Sequence, residues 1–125
     1  MTQWIEIRNR SRDNVLVVRA KWCESFLCRL RGLTFRRVLS ALTGLLLVQS
    51  RESIAGGTIH MFGVFFSLGV IWLDADKRVV DHTVADPWRI YTPNAPAQYV
   101  LEGQPEILDR VAVGDVLEFC EYEAE

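Results

Sequence analysis

The chain has 125 residues, half of them apolar and 24% charged, with 14 basic against 16 acidic residues for a formal charge of −2. That length suits one domain over residues 1–125, with roughly two thirds of the unfolded surface available for burial. The composition is too apolar for intrinsic disorder, and the charge gives no long-range attraction for phosphate backbones, which argues against nucleic acid as a partner.

In chain order, Trp4-Ile5-Glu6-Ile7 followed by Arg8-Asn9-Arg10 predicts a short strand and a turn. Asn14 to Ala20 is β-branched enough to return as the second strand of a hairpin. The period then changes. Trp22, Phe26, Leu27 and Leu30 recur at helical spacing and Gly32 supplies a stop, which predicts a helix over about Cys23 to Arg31. Leu42 to Val48 is a continuous apolar run of strand length, closed by polar Gln49 to Ser53. Gly56-Gly57 predicts a turn, and Thr58 to Met61 and Gly69 to Leu73 two further strands. Asp74 to Lys77 predicts the turn into a strand over Arg78 to Val84.

Pro87, Pro93 and Pro96 make Asp86 to Ala97 the longest irregular segment, since proline lacks an amide donor and restrains the residue before it. Gln98 to Glu102 predicts a strand, Pro105 to Leu108 one helical turn, and Val116 to Tyr122 a final strand. These elements together define an α+β, mainly β fold: a small, barrel-like, largely antiparallel sheet with one or two short helices.

Ile54 to Leu73 runs twenty residues without Asp, Glu, Lys or Arg. As one helix it would be long enough to cross a bilayer. Its composition argues otherwise. Four glycines and His60 interrupt it, and Ile59, Phe62, Val64, Phe65, Phe66, Val70, Ile71 and Trp72 favour a strand core.

Cys23, Cys28 and Cys120 lack C-x-x-C spacing and the density of a secreted scaffold, which predicts reduced thiols. Residues 1–12 carry no apolar targeting stretch, so no secretory signal is expected and a cytoplasmic location is. The basic residues cluster from Arg8 to Arg37 while Glu118, Glu121, Glu123 and Glu125 close the chain; such runs read as solvated faces.

Several short motifs fall in a recognisable order. They are Arg31-Gly32-Leu33 with Phe35-Arg36, then Gly44 to Leu47, Ile59-His60-Met61, Trp72-Leu73-Asp74, Pro87-Trp88-Arg89, Val100 to Gly103 and Val113-Gly114-Asp115. On these the chain resembles the domain-of-unknown-function family 192, also called uncharacterised protein family 0127. The resemblance implies a compact, mostly β domain and no established reaction. The chain departs from that pattern in two places. Val64-Phe65 stands where the family has a Met-Arg pair, and Ser67-Leu68-Gly69 where it has Pro-Ile-Asp.

His60 is the most informative titratable residue, because an imidazole inside an apolar run can be acid, base or ligand, or a core side chain bonded to a backbone carbonyl. His82 reads as an exposed strand residue. No metal-ligand spacing, phosphate loop or nucleophile elbow appears, so no metal or cofactor is expected. Arg31 and Arg36 beside the predicted helix end, with Trp88 and Arg89 on the proline-rich segment, suggest a cleft in which guanidinium groups hold a carboxylate or sugar while the indole stacks on it. Against this, Arg31 could cap helix carbonyls and Arg89 could pair with Asp86. The sequence therefore favours non-catalytic binding of a small ligand or protein partner at Arg31, Arg36, His60, Trp88 and Arg89. The alternatives are a hydrolase-type enzyme with His60 as general base, and a membrane-associated subunit.

Overall fold

A computed structural model describes residues 3–24 and 43–122. Among the described residues nine strands form: β1 (Trp4–Asn9), β2 (Asn14–Cys23), β3 (Thr43–Ser53), β4 (Ile59–His60), β5 (Leu68–Leu73), β6 (Val79–Ala85), β7 (Ile90–Tyr91), β8 (Ala97–Gly103) and β9 (Leu117–Glu121). A single helical turn, α1 (Ile54–Gly57), follows β3, and a 3-10 helix (Pro105–Arg110) follows β8. Seven strands make one curled sheet in the order β6-β5-β8-β3-β2-β1-β9, while β4 and β7 pair separately. Every pairing is antiparallel except β2 with β3. The mainly β, barrel-like fold expected from the sequence is the one observed.

The sheet is covered on both faces across its central strands and on one face at β1 and β9, and this explains which strands alternate and which do not. β1 shows the period of a half-buried strand, with Ile5, Ile7 and Asn9 buried between less buried neighbours. All six residues of β5 are buried, because Ile71 and Leu73 point into one core layer and Leu68, Val70 and Trp72 into the other. The first layer, inside the curl, draws on every strand of the large sheet and includes Ile107 of the 3-10 helix. The second lies on the opposite face beneath the β4–β7 ribbon, with Ile59, Met61, Val64 and Ala97 among its members. Total exposed area is 7056 Å², close to the roughly 6,800 Å² that chain length alone predicts.

Glycines set the height of the 3-10 helix over the sheet. Gly69 and Gly103 face each other on β5 and β8. A Cβ on Gly69 would approach the Gln104 carbonyl oxygen to 2.8 Å and Ile107 to 3.0 Å, and one on Gly103 would approach Ile107 to 3.1 Å. The flat pair is what lets Ile107 reach the core.

The uncharged central stretch is thus divided among α1, β4, a loop and β5, and among the described residues no helix is long and apolar enough to cross a membrane. Other boundaries differ from the sequence reading. The polar segment Gln49 to Ser53 continues β3 instead of ending it. Gly56-Gly57 belongs to α1, where the Gly56 N–H donates to Ser53 Oγ at 2.9 Å. Cys23 ends β2 and is disulfide-bonded, which corrects both the helix start and the reduced thiol expected there. The rest of the expected helix, beyond Glu24, lies outside the described residues.

Candidate functional site

The β4–β7 ribbon carries the site residues that the structure describes. Ile59 pairs with Tyr91 and His60 with Ile90. Beyond the pairing, the Met61 N–H donates to the Arg89 carbonyl at 2.7 Å, and the Trp88 N–H donates back to the Met61 carbonyl at 2.8 Å. This exchange brings His60 onto one short ribbon with Trp88 and Arg89, which follow it by 28 and 29 residues in the chain. Arg31 and Arg36 lie outside the described residues.

The turn that presents Trp88 is pinned from several sides. The Asp86 N–H donates to the Tyr91 hydroxyl at 2.8 Å, and the Ser67 hydroxyl donates to Asp86 Oδ1 at 2.9 Å. Asp81 holds the far end of the proline-rich segment, its Oδ2 accepting the Asn94 N–H at 3.0 Å. Pro87 followed by a residue at positive φ is the arrangement of a type II turn, whose third position ordinarily takes Gly or Asn. Here that position is Trp88, with φ 66°. For a bulky L-residue the left-handed region costs about 1–2 kcal/mol.

The indole gains no burial in exchange. Trp88 is 59% exposed, as is Ile90, and Arg89 between them is exposed too. The ring meets Phe65 edge-on, with centroids 6.2 Å apart. Phe62 and Phe65, expected in the strand core, are instead exposed on the loop after β4, so this ribbon and that loop carry half of the large exposed apolar side chains among the described residues. Such clustering is what distinguishes a recognition surface from scattered surface residues.

His60 is half-buried and stacks on Phe62 at 5.3 Å. Its Nδ1 accepts the Phe62 N–H at 3.2 Å. The backbone partner is therefore an amide, not the carbonyl considered from sequence. Accepting that bond needs a lone pair on Nδ1, which leaves Nε2 as the N–H of the neutral ring. Among the described residues no carboxylate or thiol hydrogen-bonds the imidazole. Arg89 has no ion pair with Asp86, whose Oδ1 takes the Ser67 hydroxyl. His82 is half-buried on β6 opposite Ile71, and so less exposed than its sequence context implied.

Two further carboxyl groups entered the sequence reading only within motifs that carry the family resemblance, and not as candidate site residues. Asp115 ties the loop before β9 to the first hairpin, with Oδ2 accepting from Asn9 Nδ2 at 2.9 Å, Arg12 Nε at 2.7 Å and the Ala112 N–H at 3.0 Å. Burial pushes its pKa up, but these bonds and the Arg12 charge outweigh that and hold it below the usual value. Glu102 is only 5% exposed, on β8 between Leu45 and Val70, and burial pushes its carboxyl up to about 7. Charged residues seldom sit at the centre of a sheet, and the alternation of β8 alone could have marked it. Among the described residues no group of three or more His, Cys, Asp or Glu side chains could hold a metal ion. Burial, together with the neighbouring Glu118 carboxylate, raises the Cys120 thiol above its ordinary value.

A curled seven-stranded sheet covered by a short two-stranded ribbon, with its exposed aromatic residues on that ribbon, defines a class of small half-barrel domain. The chain belongs to the domain-of-unknown-function family 192, described as an uncharacterised ACR family, whose model matches residues 7–119. A protein named UPF0127 from Thermococcus kodakarensis is 35% identical over 119 residues, covering 94% of this chain and 74% of its own length. Its Pyrococcus furiosus counterpart is 33% identical over 113 residues, covering 89% and 95%. Among solved structures, a Sinorhizobium meliloti chain whose name suggests a transcription regulator superposes with a TM-score of 0.81 at 20% identity, covering 95% of this chain and 94% of its own. A Novosphingobium aromaticivorans protein of unknown function gives 0.77 at 21%, covering 94% and 84%. At those identities the likeness shows the fold alone.

Proposed function

We propose that this domain is a non-catalytic binding module whose site is the ledge formed by Trp88, Arg89, Ile90 and His60. One observation carries the reading: Trp88 occupies a left-handed backbone position that glycine would fill without strain, and its indole is turned to solvent. Strain kept for an indole that is mostly open to solvent and meets only the edge of Phe65 among the described rings is the pattern of a residue kept for what it touches outside the chain. An aromatic face with a neighbouring guanidinium suits a small ligand or a peptide segment carrying a carboxylate.

The rival reading, His60 as general base, needs a group to orient the imidazole and a reactive partner within reach. In its place Nδ1 is held by a backbone amide. The test is a ligand screen read by the indole N–H resonances. Trp72 is the internal reference, because its Nε1 donates to the buried Gly57 carbonyl at 2.7 Å. Ligands that move the Trp88 signal, assigned through Trp88→Phe, and leave the Trp72 signal in place support the proposal. Catalytic turnover abolished by His60→Ala would overturn it.

The proposal keeps the cytoplasm as compartment, and the disulfide at Cys23 weighs against it. Thiol labelling of the protein quenched directly from cells decides between them: Cys23 reactive without reductant supports the cytoplasm, and Cys23 blocked until reduced rejects it.

A further inference from the structure

We infer that the outward face of the β4–β7 ribbon docks on a bilayer surface of zwitterionic lipid, its apolar side chains among the upper acyl carbons and Asp86 and Arg89 level with the headgroups. The inference rests on the binding reading above and names the partner of that same ledge.

Both sides of the ribbon are apolar, and the fold accounts for only one. Ile59 and Met61 point inward and are buried in the second core layer, against which Tyr91 also packs. A strand pair lying over a core ordinarily turns polar residues outward. Here the outward residues are His60 and its cross-strand partner Ile90, with Phe62 stacked on His60 at 5.3 Å and Phe65 meeting Trp88 at 6.2 Å. Phe62, Phe65, Trp88 and Ile90 are 44%, 49%, 59% and 59% exposed. None of these five side chains carries a carboxylate, ammonium or guanidinium group, so the face selects an apolar partner.

Area decides between a bilayer and a second protein surface. At roughly 200 Å² for a whole side chain of this kind, the four together expose about 400 Å². A stable protein contact takes about 800 Å² from each partner, twice what this face supplies. A bilayer sets no such minimum, because a few aromatic and aliphatic side chains entering the headgroup boundary hold a protein in proportion to the area they bury. The charges that flank Pro87-Trp88 in the chain fit the same partner. Asp86 and Arg89 are both exposed, and among the described residues they do not pair with each other. Asp86 Oδ1 takes the Ser67 hydroxyl and its Oδ2 has no hydrogen bond among the described residues, which leaves one anion and one cation open. A zwitterionic headgroup presents the complement of both, a quaternary ammonium and a phosphate. The turn under the indole is already fixed by two backbone bonds to Met61, so insertion costs little ordering.

The experiment sediments the chain with vesicles of phosphatidylcholine, alone or with added phosphatidylglycerol, at low and high salt, and repeats this with Trp88→Gly. Phosphatidylcholine vesicles should bind the wild type, and anionic lipid or salt should change the affinity by less than about threefold, because Arg89 and Asp86 offset each other. Trp88→Gly should bind roughly tenfold or more weakly with no fall in melting temperature, since glycine suits that backbone position. Brominated acyl chains locate the face. Trp88 is the exposed one of four tryptophans, so they should quench the bound wild type and leave bound Trp88→Phe unquenched. Quenching that persists in Trp88→Phe, or binding that requires phosphatidylglycerol and disappears at high salt, would overturn the inference. So would dissolved glycerophosphocholine moving the Trp88 indole resonance, which would make the headgroup alone the ligand. A wild-type dimer in analytical ultracentrifugation that Trp88→Gly dissolves would assign the face to a second copy and overturn it too. If vesicles fail to bind but a dissolved ligand moves the Trp88 resonance, the inference fails and the binding module stands; silence of Trp88 towards vesicles and every ligand overturns both.

Discussion

Glu102 makes stability depend on pH in a direction opposite to that of most carboxylates. Its side chain lies in the middle of the sheet between Leu45 and Val70, and among the described residues it has neither a hydrogen bond nor an ion pair. Water is therefore not replaced by any partner for the charged form, and the pKa rises from an ordinary 4.5 to about 7. The folded chain holds this proton up to about pH 7 while the unfolded chain releases it near 4.5, so the fold binds more protons throughout that window and loses stability as pH rises through it. Below pH 4.5 the contribution is fully present; above pH 7 it is gone. A separation of about 2.5 pH units corresponds to roughly 3 kcal/mol. Against a total stability of about 5–15 kcal/mol that is a large share. Urea unfolding at pH 5 and pH 8 measures it. For a slope of about 1.5 kcal/mol/M the wild-type midpoint should fall by roughly 2 M between the two pH values. Glu102→Gln keeps the shape and removes the proton, and the histidines contribute equally to both chains, so the difference between the two pH responses isolates Glu102. Parallel responses in wild type and Glu102→Gln would refute the reasoning and place the carboxyl in a polar or hydrated setting.

The carboxylate in the loop before β9 behaves in the usual sense. The Asp115 pKa is depressed, so its contribution is present above the unfolded value near 4 and is lost as pH falls through the folded one; Asp115→Ala should cost about 1–3 kcal/mol at pH 7 by leaving the Ala112 N–H and one of the two Asn9 Nδ2 hydrogens without an acceptor, the other staying on the Arg110 carbonyl, measured by thermal unfolding. Trp72 is 1% exposed and its Nε1 bonds the Gly57 carbonyl, so Trp72→Ala should lower stability by roughly 3–5 kcal/mol, read as a lower urea midpoint at unchanged slope.

The large sheet was legible in the sequence because its residues are buried in regular patterns. The alternation around Ile5 and Ile7 and the unbroken apolar run of β5 each announced a strand with one or two covered faces. The ribbon was only half legible. Ile59 and His60 read as strand, but Ile90 and Tyr91 sit between prolines and have two residues to pair, so their partner is set by the Met61, Trp88 and Arg89 backbone bonds and not by any local pattern. Gln49 to Ser53 read as a strand end because it is polar, yet its backbone continues the ladder up to Ser53 opposite Ala97. The place of Trp88 on the proline-rich segment beside Pro87 was legible. Its left-handed backbone was not, since nothing in Pro-Trp-Arg marks a tryptophan where glycine fits better.

The two positions at which the resemblance implies a departure from the family pattern, Phe65 and Gly69, fall in different surroundings. Phe65 stands at the family's arginine position and lies on the ledge, with its ring against Trp88. There the change exchanges a cation for an aromatic edge and leaves Arg89 as the ledge's cation among the described residues. Gly69 stands at the family's aspartate position and lies beneath the 3-10 helix, where any Cβ would sit 2.8 Å from the Gln104 carbonyl oxygen and 3.2 Å from Pro105 Cα. Both obstacles are backbone and cannot swing aside. Restoring the two family residues one at a time should therefore give opposite results. Phe65→Arg, at a surface that is 49% exposed, should change stability by no more than about 1 kcal/mol. Gly69→Asp must displace the 3-10 helix and bury a carboxylate against its carbonyl, at roughly 4 kcal/mol or more. Equal losses for the two variants in urea unfolding would mean that Pro105 to Arg110 can lift off the sheet at little cost, and the packing of Ile107 onto the glycine pair would then not be what holds that helix down.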